Sequence, residues 1–237
     1  MEWYEQQFRL KPEHSAVGEA TPVYMYDAQV RARIADELDD IKIIVIVRDP
    51  VARAYSHFWH SRRYERETLD SFEEALAEEP RRLEQIQAQV LAEGWTHSRV
   101  RPRYWWSYVD RGRYIDQFLD LEDRYGRDRI CVLTLEQTKR DPKEQLAVAL
   151  SHIGVDPDLH PGLNLPQKNA YSDLSPRKIR RLTQAGEEVP EKETGITYPP
   201  LAPLTREKLM KEFADYDLRL KQWLGWKQLP WDSLANE

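Results

Sequence analysis

The run ArgAspProValAlaArgAlaTyrSer at 48–56 places a guanidinium, a helix-capping carboxylate with its first-turn proline, and a hydroxyl within nine residues. A planar guanidinium fork matches the oxygens of a phosphate, and the hydroxyl of Ser56, eight residues after Arg48, can add a donor to the same anion. The helix start between them brings amide N–H groups that suit a negative charge. The residue types alone leave a second assignment open, in which Arg48 pairs with a carboxylate and Ser56 packs inside its helix. Glu19, in GlyGluAlaThrProValTyr at 18–24, is a carboxylate in a loop-like stretch. It can accept a proton from a hydroxyl or amine, or it can pair with a neighbouring base or helix terminus.

Other reactive residue types have plainer readings. His57 and His60 share a helical stretch with Tyr55, Phe58 and Trp59 and lack metal-ligand spacing with other donors, which makes them packing or rim residues. Cys131 lies in the apolar run IleCysValLeu and reads as a buried, inert thiol. The aromatic run Tyr104, Trp105 and Trp106 can stack on a sugar or an adenine, or fill a core. Arg62, Arg63 and Arg66, and later Arg177, Lys178, Arg180 and Arg181, read as solvated basic faces of helices.

The elements that must position these groups are legible from pattern. Residues 41–49 form the strongest strand, β-branched almost throughout, as expected in a parallel sheet covered on both faces. Asp49 and Pro50 then cap and open a helix at its carboxyl end, the edge where ligands bind in open α/β sheets. Asp27 caps a helix to about 38. Further helices are expected over 71–93, 107–124, 142–153, 175–184 and 205–223, with a second buried strand at 129–135. This β, α, β, α alternation implies an α/β fold.

Size and charge bound the rest. With 237 residues and 41% apolar content the chain fits one large domain, and eight Trp, twelve Tyr and five Phe mark it as folded. A net charge of −6 argues against broad nucleic-acid binding. No apolar run approaches the roughly 18 residues of a membrane span, and the opening residues lack a signal-peptide pattern, so a cytoplasmic location is expected.

ArgAspPro, then Arg53, then Ser56 resembles the 3′-phosphate-binding signature of the sulfotransferases that use 3′-phosphoadenosine 5′-phosphosulfate (PAPS). The resemblance extends from TrpTyr at 3 and 4 to the terminal LeuGlyTrp and Trp231, and is greatest to the carbohydrate group, including the heparan sulfate enzymes. It implies a P-loop-NTPase-like three-layer sandwich around a central parallel sheet, forming a single domain over 1–237. It further implies PAPS as co-substrate without a metal, and a carbohydrate or similar small-molecule acceptor. Arg48 and Ser56 would hold the 3′-phosphate with help from Lys168 and Arg177, whose loop, with Asn169 and Lys178, lacks the family's usual glycine. Glu19 would be the catalytic base, although Ala20 stands where relatives commonly carry Lys. No glycine sits in a LysXaaGlyThrThr-type loop after a strand, so the chain is expected to start downstream of the 5′-phosphosulfate unit. A bare central strand would then favour self-association. The alternative is an inactive or partner-dependent nucleotide-binding module.

Overall fold

A computed structural model of the protein describes residues 6–8, 11–12, 14–38, 40–159, 176–187 and 198–232. In chain order its elements are α1 (Ala28–Glu37), β1 (Ile43–Val47), α2 (Pro50–Arg63), α3 (Phe72–Glu93), α4 (His97–Val100), α5 (Arg103–Trp106), α6 (Tyr114–Tyr125), β2 (Ile130–Thr134), α7 (Leu135–Arg140), α8 (Pro142–His152), α9 (Pro176–Ala185) and α10 (Pro203–Leu224). The fold is α/β with a parallel sheet. Two compact units divide the chain: Met1–Arg48 with Tyr114–Leu165 and Tyr216–Glu237, and Asp49–Arg113 with Pro166–Asp215.

The first unit is built on the two strands. Among the described residues the sheet is β1 beside β2, parallel, with Ile43 opposite Ile130 and Val47 opposite Thr134. Alternation along β1 sends Val45 and Val47 to one face, where they join Ile130 and the apolar side of α6, including Ile115, Phe118 and Leu121. Leu220, Leu229 and Trp231 close this core, and Trp223 stacks on Phe118 with ring centroids 5.0 Å apart. The Asp27 carboxylate accepts from the amides of Gln29 and Val30, which starts α1 where the capping pattern places it.

The other face of β1 departs from expectation. Ile44 and Ile46 are 39% and 58% exposed, although a strand buried on both sides was implied by its composition. The register explains the difference: their neighbours Cys131 and Leu133 are buried, and α7 and α8 pack on β2. The described helices therefore cover this face at one strand and leave it open at the other.

The second unit is helical. Its core joins Val51, Ala54 and Phe58 of α2, Phe72 and Ala75 of α3, Tyr108, and Leu209 and Phe213 of α10. A reciprocal capping box between Ser71 and Glu74 starts α3. The expected helix over 107–124 begins only at Tyr114, after a single 3-10 turn at Asp110–Gly112. The segment ahead of that helix is held by Glu79, whose buried carboxylate accepts from the amides of Val109 (2.8 and 2.9 Å) and Asp110 (2.9 Å). Gly112 completes the turn by lying against Phe213, where an added Cβ would meet the ring at 2.8 Å.

Candidate functional site

Burial of Val45 and Val47 anchors β1 and delivers Arg48 at its carboxyl end. The Tyr114 hydroxyl donates to the Arg48 carbonyl oxygen at 3.1 Å, fixing the backbone from which the half-buried guanidinium leaves. Asp49, 5% exposed, accepts from the Val51 amide at 2.9 Å and caps α2, with Pro50 in the first turn. The strand-to-helix junction thus forms as its residues dictate. Arg48 closes the first unit, and Ser56, half-buried on the second turn of α2, belongs to the second. Arg53, also in the signature, donates to the Tyr108 carbonyl and serves the second unit's own architecture.

Glu19 is exposed, as are its neighbours from His14 to Ala20, and it accepts a hydrogen bond from the Thr21 hydroxyl at 3.3 Å. A carboxylate so placed can meet an acceptor from solvent. Lys168 and Asn169 lie outside the described residues, and so do the side chains of Arg177 and Lys178, although α9, which carries the last two, is described.

The histidines behave as packing and rim residues. One ring nitrogen of His57, Nε2, lies 2.9 Å from the Tyr104 carbonyl, and the ring meets Tyr108 edge-on at 5.2 Å. Burial, reinforced by the charges of Arg53 and Arg111, holds His57 well below the usual histidine range, so it is neutral and donates to that carbonyl. Burial also lowers His60, with Arg66 and Arg63 adding to the shift. Burial pushes the Cys131 thiol up, away from thiolate chemistry.

Two buried carboxylates gave no signal in the sequence, because Glu67 lies in an irregular connector and Glu79 on a helix whose Glu and Arg read as a solvated surface. Glu67 accepts from both guanidinium nitrogens of Arg82 (2.6 and 3.1 Å), from the Tyr108 hydroxyl (2.7 Å) and from the amides of Thr68 and Leu69. Burial alone would raise it, but these donors outweigh burial and hold it below the usual carboxylate range. Burial, with the Glu67 carboxylate beside it, pushes the Tyr108 hydroxyl far up. Glu79 goes the other way: burial raises it to about 7, only partly offset by the two backbone amides and by Arg53.

Among the described residues no group of three or more His, Cys, Asp and Glu side chains is arranged to hold a metal ion, and no helix is long and apolar enough to cross a membrane.

The sulfotransferase domain family model matches residues 33–181, a span that includes β1, the Arg48 junction and both strands. A solved structure, that of a sulfotransferase from Alicyclobacillus acidocaldarius, is similar at 26% identity with a TM-score of 0.68, covering 98% of this chain and 73% of that one. No curated protein sequence matches the chain.

Proposed function

This chain belongs to the sulfotransferase domain family and is an enzyme of that kind, and from that premise we propose that it moves a sulfuryl group from PAPS to a hydroxyl or amine of a carbohydrate or similar acceptor. One observation carries the site assignment: within the matched span, a strand buried on one face hands Arg48 directly to a capped helix that bears Ser56. The reading also takes both units as parts of one domain, because the matched span and the similar structure run through both.

Arg48 binds the 3′-phosphate through its planar fork, its backbone held by Tyr114, and Ser56 donates its hydroxyl to the same group. Lys168 and Arg177 add positive charge there. Glu19 takes the acceptor proton. In the transfer the acceptor oxygen or nitrogen forms a bond to sulfur, the bond from sulfur to the 5′-phosphate oxygen breaks, and adenosine 3′,5′-bisphosphate leaves with that electron pair. The proton goes to the Glu19 carboxylate, so atoms and charge balance without a redox partner.

Calorimetric titration with adenosine 3′,5′-bisphosphate tests the reading. Saturable binding is expected, weaker by about 10- to 100-fold for adenosine 5′-phosphate or for Arg48→Ala, the loss of one charge-assisted contact. Equal affinity for both nucleotides would remove Arg48 from the site. Glu19→Gln should bind the nucleotide as the parent does and lose transfer by roughly 10²- to 10⁴-fold.

A further inference from the structure

One helix of the first unit reaches both segments to which the transfer reading gives chemistry. α6 buries Ile115, Phe118 and Leu121 in the core it shares with Val45 and Val47, and its Tyr114 holds the Arg48 carbonyl oxygen. Further along the same helix, Asp120 accepts a hydrogen bond from Nε of Arg31 on α1. Arg31 turns a second donor, Nη1, to the Met25 carbonyl oxygen ahead of α1. Glu19, Arg48 and all of these residues belong to the first unit.

Arg31 stands apart from the other cations. It is 7% exposed, and among the described residues it is the only arginine or lysine that is buried. A guanidinium taken out of water is costly unless its charge is paired and its donors are met. Asp120 meets that demand. Burial by itself would raise the Asp120 carboxyl, but hydrogen bonds from Arg124 and Arg31 outweigh it and hold the group below the usual carboxylate range. Arg124 pairs Asp120 from the same helix, with both contacts at 3.1 Å. What Arg31 adds is therefore its grip on the backbone at Met25.

That backbone is a run of turns. The Tyr24 amide donates to the Thr21 carbonyl, and the amides of Tyr26 and Asp27 donate to the Val23 carbonyl, all at 3.1 Å. The Thr21 hydroxyl then reaches the Glu19 carboxylate, and His14–Ala20 are exposed. Turns with so few bonds open locally at little cost unless something ties them to a core. Arg31 is that tie at Met25, and the turns carry it on to Thr21 and Glu19.

We propose that Arg31 and Asp120 are positioning residues for Glu19: through them α6 fixes the segment that carries the proton acceptor, while through Tyr114 it fixes Arg48 separately. The part of Glu19 as proton acceptor rests on the sulfotransferase reading above; the tie from α6 to residues 21–27 does not.

Hydrogen–deuterium exchange and calorimetry with adenosine 3′,5′-bisphosphate, both on the full chain, test the tie. Transfer from saturating PAPS to glucosamine tests its consequence. Arg31→Met keeps an apolar stem and removes both bonds. It is expected to speed amide exchange across 21–27 by about tenfold or more, leaving 43–47 and the nucleotide affinity unchanged. Tyr114→Phe is expected to do the reverse, weakening the nucleotide by about threefold and leaving exchange across 21–27 unchanged. In transfer, Arg31→Met should lower kcat by about tenfold with KM for PAPS unchanged. Added to Glu19→Gln it should lower transfer no further, because the group to be placed is already gone. Should Arg31→Met lose its circular dichroism signature, Asp120→Asn is expected to speed exchange across 21–27 by about threefold. Unchanged exchange across 21–27 in a folded Arg31→Met would overturn the proposal, and so would an equal rise across 43–47 or in Tyr114→Phe. Losses that add to an already impaired Glu19→Gln would overturn it too. Transfer that survives Glu19→Gln, with the exchange results as expected, would count against the choice of base alone. Should glucosamine accept nothing, exchange and nucleotide affinity decide the proposal by themselves.

Discussion

The two units solve the problem of ordering a loop in opposite ways. In the first, the segment that matters is the end of β1, and apolar packing of Val45, Val47, Ile115 and Phe118 holds it, while that unit's buried Arg31, paired with Asp120, holds the Met25 carbonyl ahead of α1 instead. In the second, the segment is 105–112, and buried carboxylates hold it: Glu67 through Tyr108, Glu79 through the amides of Val109 and Asp110. Apolar packing places a strand because its backbone groups pair with the neighbouring strand. An irregular segment has unpaired amides and carbonyls, which only polar side chains can satisfy away from water.

That contrast can be broken by substitution. Glu67→Ala, which strands a buried guanidinium and the Tyr108 hydroxyl, should cost about 3–5 kcal/mol in denaturant unfolding; a loss below about 1 kcal/mol would show that the network does not hold the second unit. Leu220→Ala, at a fully buried position of the first unit's core, should cost about 2–5 kcal/mol, and a small effect would mean that this core collapses around the gap.

Acidity sharpens the comparison within the second unit. Glu79 is raised in the folded state, so between about 4.5 and its folded value of about 7 the folded protein holds the proton more tightly than the unfolded chain. Its contribution to stability is therefore lost as pH rises through that window, by up to roughly 3 kcal/mol. Glu67, lowered by its donors, contributes the opposite slope: stability present above the ordinary glutamate range and lost as pH falls toward its folded value. Glu79→Gln keeps an acceptor for both amides and removes the charge. Its melting temperature relative to the parent should climb between pH 5 and pH 8, and a constant difference would contradict the burial argument.

The smallest effect is expected at the open face of the first unit. Ile46→Thr, at a 58% exposed position, should alter stability by no more than about 0.5 kcal/mol, measured by thermal unfolding. A larger loss would mean that something covers that face in solution.

Much of the site's frame was legible in the chain. Asp27, Asp49 with Pro50, and Pro142 mark helix starts by local chemistry, and the observed elements begin there. The β-branched run at 43–47 forms the strand it predicts. The signature around Arg48 pointed to the family that the comparison over 33–181 shows. Arg53, in the same signature, turned out to bond a backbone carbonyl of its own unit, a partner 55 residues away that no local pattern announces. The proposed roles of Arg48 and Ser56 rest on that family membership together with the junction's geometry, and that of Glu19 on the resemblance alone.

What the sequence by itself determined were the caps, the strand and helix periods, and the strand-to-helix junction that carries Arg48, because each depends on interactions a few residues apart. Tertiary structure alone decided which charged residues became interior. Glu67 meets Arg82 and Tyr108, and Glu79 takes up the amides of Val109 and Asp110, only after α3 folds against the segment that follows it. It also decided that Ile44 and Ile46 stay open and that Arg66 and Arg101 share the Trp105 ring. These outcomes depend on the partner that long-range packing supplies, and a glutamate or an arginine reads the same in sequence whether that partner is water, a carboxylate or an indole.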